Sequence, residues 1–177
     1  LALPIKHSDI EVEPLFEDRF VLAITGEREL SEDVRATQDF VEHERLLLLE
    51  EGHCLRDQAL SYCDLQQVKN LNTYGASSLS TIVELVSAGH GITLLPEISL
   101  GVEARGRELK LMRFAEPEPR RTLGLVWRAT SPRRSDFQEL ARLVRDAAEP
   151  LVLAARESVA PDGGETSPKA TKRKKAS

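Results

Sequence analysis

The stretch Ser77 to Pro96, SSLSTIVELVSAGHGITLLP, reads as a helix, a turn and a strand in that order. Ser77 and Ser78 are N-cap residues for a helix over about Leu79 to Ala88, with Ile82, Val83, Leu85 and Val86 facing inward. Gly89 is its C-cap signal. After Gly91, Ile92 to Leu95 is a buried strand that Pro96 ends. Upstream, Val68 to Tyr74 predicts a short strand, Cys54 to Cys63 a helix with Leu55, Ala59 and Leu60 at helical spacing, and Arg45 to Leu49 a leucine-rich strand. Ser31 to His43 predicts a loop and a short helix, with Ser31 as N-cap and Glu32 and Asp33 in the first turn. From Val12 onward the chain is β-prone. Charged Glu17, Asp18 and Arg19 break that stretch and leave a strand over about 19 to 25.

Downstream, Leu109 to Phe114 predicts an edge-like strand, Glu116 to Pro119 is turn-rich, and Thr122 to Arg128 is β-prone again. Arg134 to Leu153 carries a strong helical pattern through Phe137, Leu140, Ala141, Val144 and Ala148. Strands alternate with helices almost throughout, which predicts an α/β fold with a largely parallel sheet.

The length, 177 residues, fits one domain or two small lobes, and 41% hydrophobic with 30% charged is a globular composition. A fibre and a wholly disordered chain are excluded, and no apolar run approaches the roughly 18 residues of a membrane span. The net charge is −5. Residues 161–177 hold five cations and two anions, so residues 1–160 carry 19 cations against 27 anions, a charge of −8. Such a body is a poor binder of polyanions, because Lys and Arg contacts to phosphate dominate nucleic-acid affinity. The tail from Pro161 is rich in Pro, Gly, Ser, Thr and Lys and is expected to be disordered. Its basic run Lys172 to Lys175 reads as a short solvated segment. The chain opens Leu1-Ala2-Leu3-Pro4 without an initiator Met or signal-peptide pattern and reads as a fragment. Two cysteines are too few for a disulfide scaffold, so a reducing compartment is the default.

Those two cysteines carry the chemistry. In Gly52-His53-Cys54-Leu55-Arg56-Asp57-Gln58, a helix starting near Cys54 would place its thiol among free N–H groups at the positive end of the helix dipole. His53 and Arg56 would add positive charge, while Glu50, Glu51 and Asp57 oppose it. Cys63 lies nine residues on. Nine helical residues rise about 13 Å and turn about 900°, which puts the two thiols on opposite faces. A disulfide needs Cα atoms within about 7 Å, so it cannot form until such a helix unwinds. The spacing therefore suits a switch in which Cys54 is peroxidatic and Cys63 resolving. Other readings of the residues stay open at this point: buried cysteines acting as small hydrophobes, a stable structural disulfide, and, least of all, zinc, for which neither C-x-x-C nor H-x-x-x-H spacing occurs. Arg120-Arg121 reads either as solvated surface charge or as a group that lowers a thiol pKa or holds a polar ligand. Trp127 reads as core.

The chain resembles the regulatory domain of the hydrogen-peroxide-sensing LysR-type transcriptional regulators over roughly residues 1 to 150. The resemblance rests on Gly52 to Ala59, the nine-residue spacing to Cys63, Gly91-Ile92-Thr93-Leu94-Leu95-Pro96, and Pro117-Glu118-Pro119-Arg120-Arg121-Thr122. It implies a periplasmic-binding-protein-like α/β fold of two lobes joined by crossing strands. One lobe, residues 23–120, is complete; 1–22 are the remnant of the other with the crossing segment, 121–153 its return strand and helix, and 154–177 the basic tail. The first half of that second lobe and a DNA-binding winged helix-turn-helix lie outside this sequence, which is taken as part of a longer protein. Their absence is expected to leave the core face of the 134–153 helix exposed. Cys54 and Cys63 carry over as the redox pair, His53 and Arg121 as residues of the peroxide pocket. The resemblance further implies a cytoplasmic homodimer or homotetramer that binds promoter DNA, is reset by a glutaredoxin-type reductant, needs no cofactor or metal, and is not an enzyme. Rival readings are a thiol peroxidase and a metabolite-binding LysR-type domain with no redox role.

Overall fold

The computed structural model describes residues 1–5, 7–29, 34–50, 54–62, 71–73 and 76–159. Its longest strand, β2 (Ile10–Thr25), follows the two-residue β1 (Ala2–Leu3) and runs through the charged triplet without a break. The expectation of a strand starting near residue 19 is corrected, and the reason is cross-strand pairing. Glu17 meets Arg120 at 3.4 Å, Asp18 meets Arg121 at 2.8 Å and Arg19 meets Glu118 at 2.6 Å, so each charge has an opposite partner.

Sixteen residues of strand reach about 50 Å, enough to serve two sheets. The first part of β2 pairs antiparallel with β7 (Arg120–Arg128), which carries β1 on its other edge. The last part lies between β5 (Thr93–Pro96) and β6 (Leu109–Arg113), antiparallel to both. β3 (Leu46–Leu48) runs parallel to β4 (Leu71–Thr73), and a parallel bridge from Leu46 to Ile92 ties it to the start of β5. The expectation of a largely parallel sheet is corrected: β3 and β4 pair in parallel and β5 and β6 run the same way, but every pairing made by β2 and β7 is antiparallel. The reason is that β2 enters from the neighbouring sheet and inserts between β5 and β6 in the opposite direction. Helix–strand alternation reports crossover connections and is blind to a strand that arrives from elsewhere.

Helices cover both faces of this sheet: α1 (Gln38–Glu42) and α2 (Cys54–Tyr62) on one, α3 (Leu79–Ser87) and α4 (Leu100–Glu103) on the other. Burial on both faces explains the continuous apolar runs. Phe20, Leu22 and Ile24 join one core with Leu46, Leu48 and Ala59, while Val21, Ala23, Leu47 and Leu95 join the other with Ile82, Val83 and Val86. The helix in the 31–43 segment is capped by Thr37, whose hydroxyl accepts the Phe40 N–H at 3.1 Å, in place of the expected Ser31; Ser31 lies outside the described residues.

The quoted stretch folds as read. His90 and Gly89 donate to the carbonyls of Leu85 and Val86 at 3.0 and 2.9 Å, a double-bond helix ending that requires the positive φ of 79° at Gly89. Ser78 holds the N-cap position of α3 without a side-chain bond. Buried Thr93 satisfies its hydroxyl on the Leu47 carbonyl at 2.7 Å.

α5 (Arg134–Ser158) extends five residues beyond the expected end at Leu153. Trp127 is buried as expected, stacked on Phe137 with centroids 5.4 Å apart and donating to Glu11 at 3.0 Å. α5 buries Ala141, Ala148, Val152 and Ala155, whereas Leu140, Leu143, Leu151 and Leu153 are exposed; of the apolar pattern expected to form its core face, Leu140 is exposed but Ala141 and Ala148 are buried.

Candidate functional site

The antiparallel register of β2 and β7 sets Asp18 opposite Arg121. Arg121 donates from Nε and Nη2 to Asp18 Oδ2 at 3.0 and 2.8 Å, and Asp18 Oδ1 accepts the Ile98 N–H at 3.0 Å. The Asp18 side chain is 1% exposed and that of Arg121 12%, so this is a buried, hydrogen-bonded ion pair rather than solvated surface charge. The Arg121 guanidinium also lies over the Phe20 ring, 5.5 Å from its centroid. Arg120, next along the strand, points the other way and is far more exposed.

Held in this way, Arg121 reaches α2: Nη1 donates to Gln58 Oε1 at 2.7 Å. α2 begins at Cys54, and Gln58 is one helical turn further on. The expected helix between the cysteines therefore exists from the first cysteine to the residue before the second. Leu55 and Ala59 pack it onto the sheet, and Arg56 lies near Asp57 at 3.6 Å. His53 and Cys63 lie outside the described residues. Of the four site residues expected from sequence, the structure thus places Arg121 against the helix that Cys54 opens.

Among the described residues Arg121 uses three of its five N–H donors, one on each nitrogen. Gln58 and Asp18 are the hydrogen-bond partners of Arg121, and neither is expected from the sequence. Gln58 lies inside the Gly52 to Ala59 block, but it is neither charged nor a thiol. Asp18 lies in the charged triplet Glu17-Asp18-Arg19 expected to break the strand; the signal is Arg120-Arg121 opening another β-prone segment, whose opposite charges complement that triplet in an antiparallel register. Among the described residues no cluster of His, Cys, Asp and Glu could hold a metal, and no helix is long and apolar enough to cross a membrane.

Residues 1–149 match the family model of the LysR substrate binding domain. The chain belongs to that family. Its LysR-type domain is similar to the "Probable hydrogen peroxide-inducible genes activator" of Mycobacterium avium, 40% identical over 145 residues, or 81% of this chain and 47% of that protein. It is also similar to the "DNA-binding transcriptional dual regulator OxyR" of Escherichia coli, 39% identical over 146 residues, 82% of this chain and 48% of that protein. The chain spans about half the length of these curated relatives. Among solved structures, a hydrogen-peroxide-bound cysteine mutant of Corynebacterium glutamicum OxyR superposes with a TM-score of 0.78 at 28% identity, over 89% of this chain and 51% of that one. The reduced OxyR regulatory domain of Pseudomonas aeruginosa gives 0.69 at 32% identity, over 82% and 70%. These likenesses agree with the periplasmic-binding-protein-like α/β architecture of the LysR-type domain.

Proposed function

We propose that this chain is the peroxide-sensing part of a LysR-type transcription regulator, with Cys54 as peroxidatic and Cys63 as resolving cysteine. The observation that carries the reading is the Asp18–Arg121–Gln58 chain of hydrogen bonds, which ties the crossing strands to the helix opened by Cys54. Hydrogen peroxide binds beside Cys54. The thiolate sulfur attacks one peroxide oxygen, the O–O bond breaks, and the second oxygen leaves as hydroxide, which takes a proton to become water. The sulfur is oxidised to sulfenic acid and the peroxide is reduced. Free N–H groups of Arg121, with His53, stabilise the negative charge that develops on the leaving oxygen.

The Cys63 thiol then attacks the sulfenic sulfur, a second water leaves, and a disulfide closes. Because α2 spans Cys54 to Tyr62, closure requires it to unwind. Gln58 then leaves Arg121, and the change reaches β7 and its partner β2, the strand that runs from one sheet into the other. Residues 23–120 act as one lobe, while 1–22 and 121–153 belong to the other. The altered lobes change how homodimers or homotetramers assemble, and so how a winged helix-turn-helix outside this sequence contacts promoter DNA. A glutaredoxin-type dithiol resets the cysteines in the cytoplasm. The output is a stored conformational state rather than product turnover, so the protein is a sensor and not a peroxidase.

The test is peroxide treatment of the intact polypeptide followed by peptide mapping, with Cys63→Ser alongside. A rapid Cys54–Cys63 disulfide in the parent, and a Cys54 sulfenic acid in the variant, are expected. Free thiols in both would favour a metabolite-binding regulator, and sustained peroxide consumption with a thiol reductant would favour a peroxidase.

A further inference from the structure

Neighbouring residues of a strand point to opposite faces, so Arg19 faces away from the Asp18–Arg121 site. On that other side lies a cleft of about 520 Å³ lined by Arg19 of β2, Arg35 before α1, Arg113 at the end of β6 and Arg156 of α5, together with Glu116 and Glu118. Glu97 sits just behind it, paired with Arg113 at 2.8 Å. Four guanidiniums against these three carboxylates leave a local positive surplus in a body that is otherwise acidic.

The hydrogen bonds divide these arginines into two kinds. Arg113 donates from all three of its nitrogens: Nη1 to Glu97, Nε to the Val159 carbonyl and Nη2 to the Arg156 carbonyl, each at 2.8 Å. The others do not. Arg19 donates once to Glu118 at 2.6 Å, Arg35 once to the same carboxylate at 3.4 Å, and Arg156 once to the Glu17 carbonyl at 3.5 Å. Each guanidinium offers five N–H groups, so most donors of these three lack an acceptor among the described residues. The Nε atoms of Arg19 and Arg156 are buried with no hydrogen-bond partner among the described residues, that of Arg156 lying 3.6 Å from Glu97 Oε2 in an ion pair. The side chains of Arg19, Arg35 and Arg156 are 30, 44 and 34% exposed and line one concave surface, so a small acceptor can reach their spare Nη donors.

We propose that this cleft binds a compact polyvalent anion, a di- or tricarboxylate or a phosphate, through the spare Nη donors of Arg19, Arg35 and Arg156. Guanidinium forks match carboxylate and phosphate oxygens in pairs, and the cleft volume is that of a small-metabolite site. A bound anion would join β2, the α1 entry and the end of α5, and so fasten α5 across the two sheets. The site is independent of the cysteine chemistry.

The experiment is calorimetric titration and thermal unfolding of the intact polypeptide with citrate and, separately, inorganic phosphate, each against sodium chloride of equal ionic strength. Saturable one-to-one binding of at least one anion, with a raised midpoint, is expected; whichever binds more tightly identifies the chemistry. Arg35→Glu should weaken it by about tenfold or more, since one fork is replaced by a like charge to the ligand. Arg35→Lys, which keeps the charge and loses the fork, should weaken it less and serves if Arg35→Glu misfolds. Midpoint shifts no larger than those of matched chloride would overturn the proposal, as would undiminished binding by both Arg35 variants.

Discussion

Arg121 shows what a single side chain can hold together. Its planar fork takes two bonds to Asp18 and one to Gln58, which a lysine ammonium at the same place cannot reproduce. Arg121→Lys should therefore keep the charge but slow oxidation of Cys54 by peroxide by about 10²-fold, the usual cost of losing one charge-stabilising donor. Stopped-flow kinetics with a sulfenic-acid probe would measure it, and an unchanged rate would remove Arg121 from the mechanism. Asp18→Asn tests the other end. It leaves a largely buried guanidinium without its counter-charge, and urea unfolding should show a loss of about 3–5 kcal/mol. Gly91→Ala is a purely steric case, because a Cβ there would press on the Arg45 carbonyl oxygen inside a bridge that joins two strands. A loss of about 1–3 kcal/mol is expected from the same measurement.

At the scale of elements, what the sequence disclosed depended on how local the deciding interactions are. α3, the turn at Gly89 and β5 were legible because caps, a glycine and an apolar run sit within twenty residues. β2 was cut short on paper because the partners of Glu17, Asp18 and Arg19 lie about a hundred residues away on β7 and the loop before it. The cysteines and Arg121 were visible as residue types in a spacing, but Gln58 became part of the site only when β7 was brought against α2. The end of α5 was equally hidden. Its last turn persists because Arg113 donates to the Arg156 and Val159 carbonyls, groups that a helix terminus otherwise leaves unpaired. Arg113→Met should accordingly speed amide exchange over residues 154–159 while leaving α3 protected. Hydrogen exchange read by mass spectrometry would resolve the two, and equal rates in both proteins would mean that packing of Val159 alone holds the turn.

Across the whole molecule, β2 runs from its pairing with β7 into its pairing with β5 and β6, and the charged residues where it passes from one to the other serve both faces. One face presents Asp18 and Arg121 to α2; the other presents Arg19 to the arginine-lined cleft and the end of α5. A change at α2 is thereby connected to the strands that set one sheet against the other. The central claim is that oxidation and an intact α2 exclude one another. Peroxide-treated intact polypeptide, sampled at matched times for peptide mapping and for amide exchange over residues 54–62, tests it most directly. The account predicts that a Cys54–Cys63 disulfide and loss of protection in α2 rise together. A disulfide that forms while α2 keeps its protection, or thiols that stay reduced while it loses it, would contradict it.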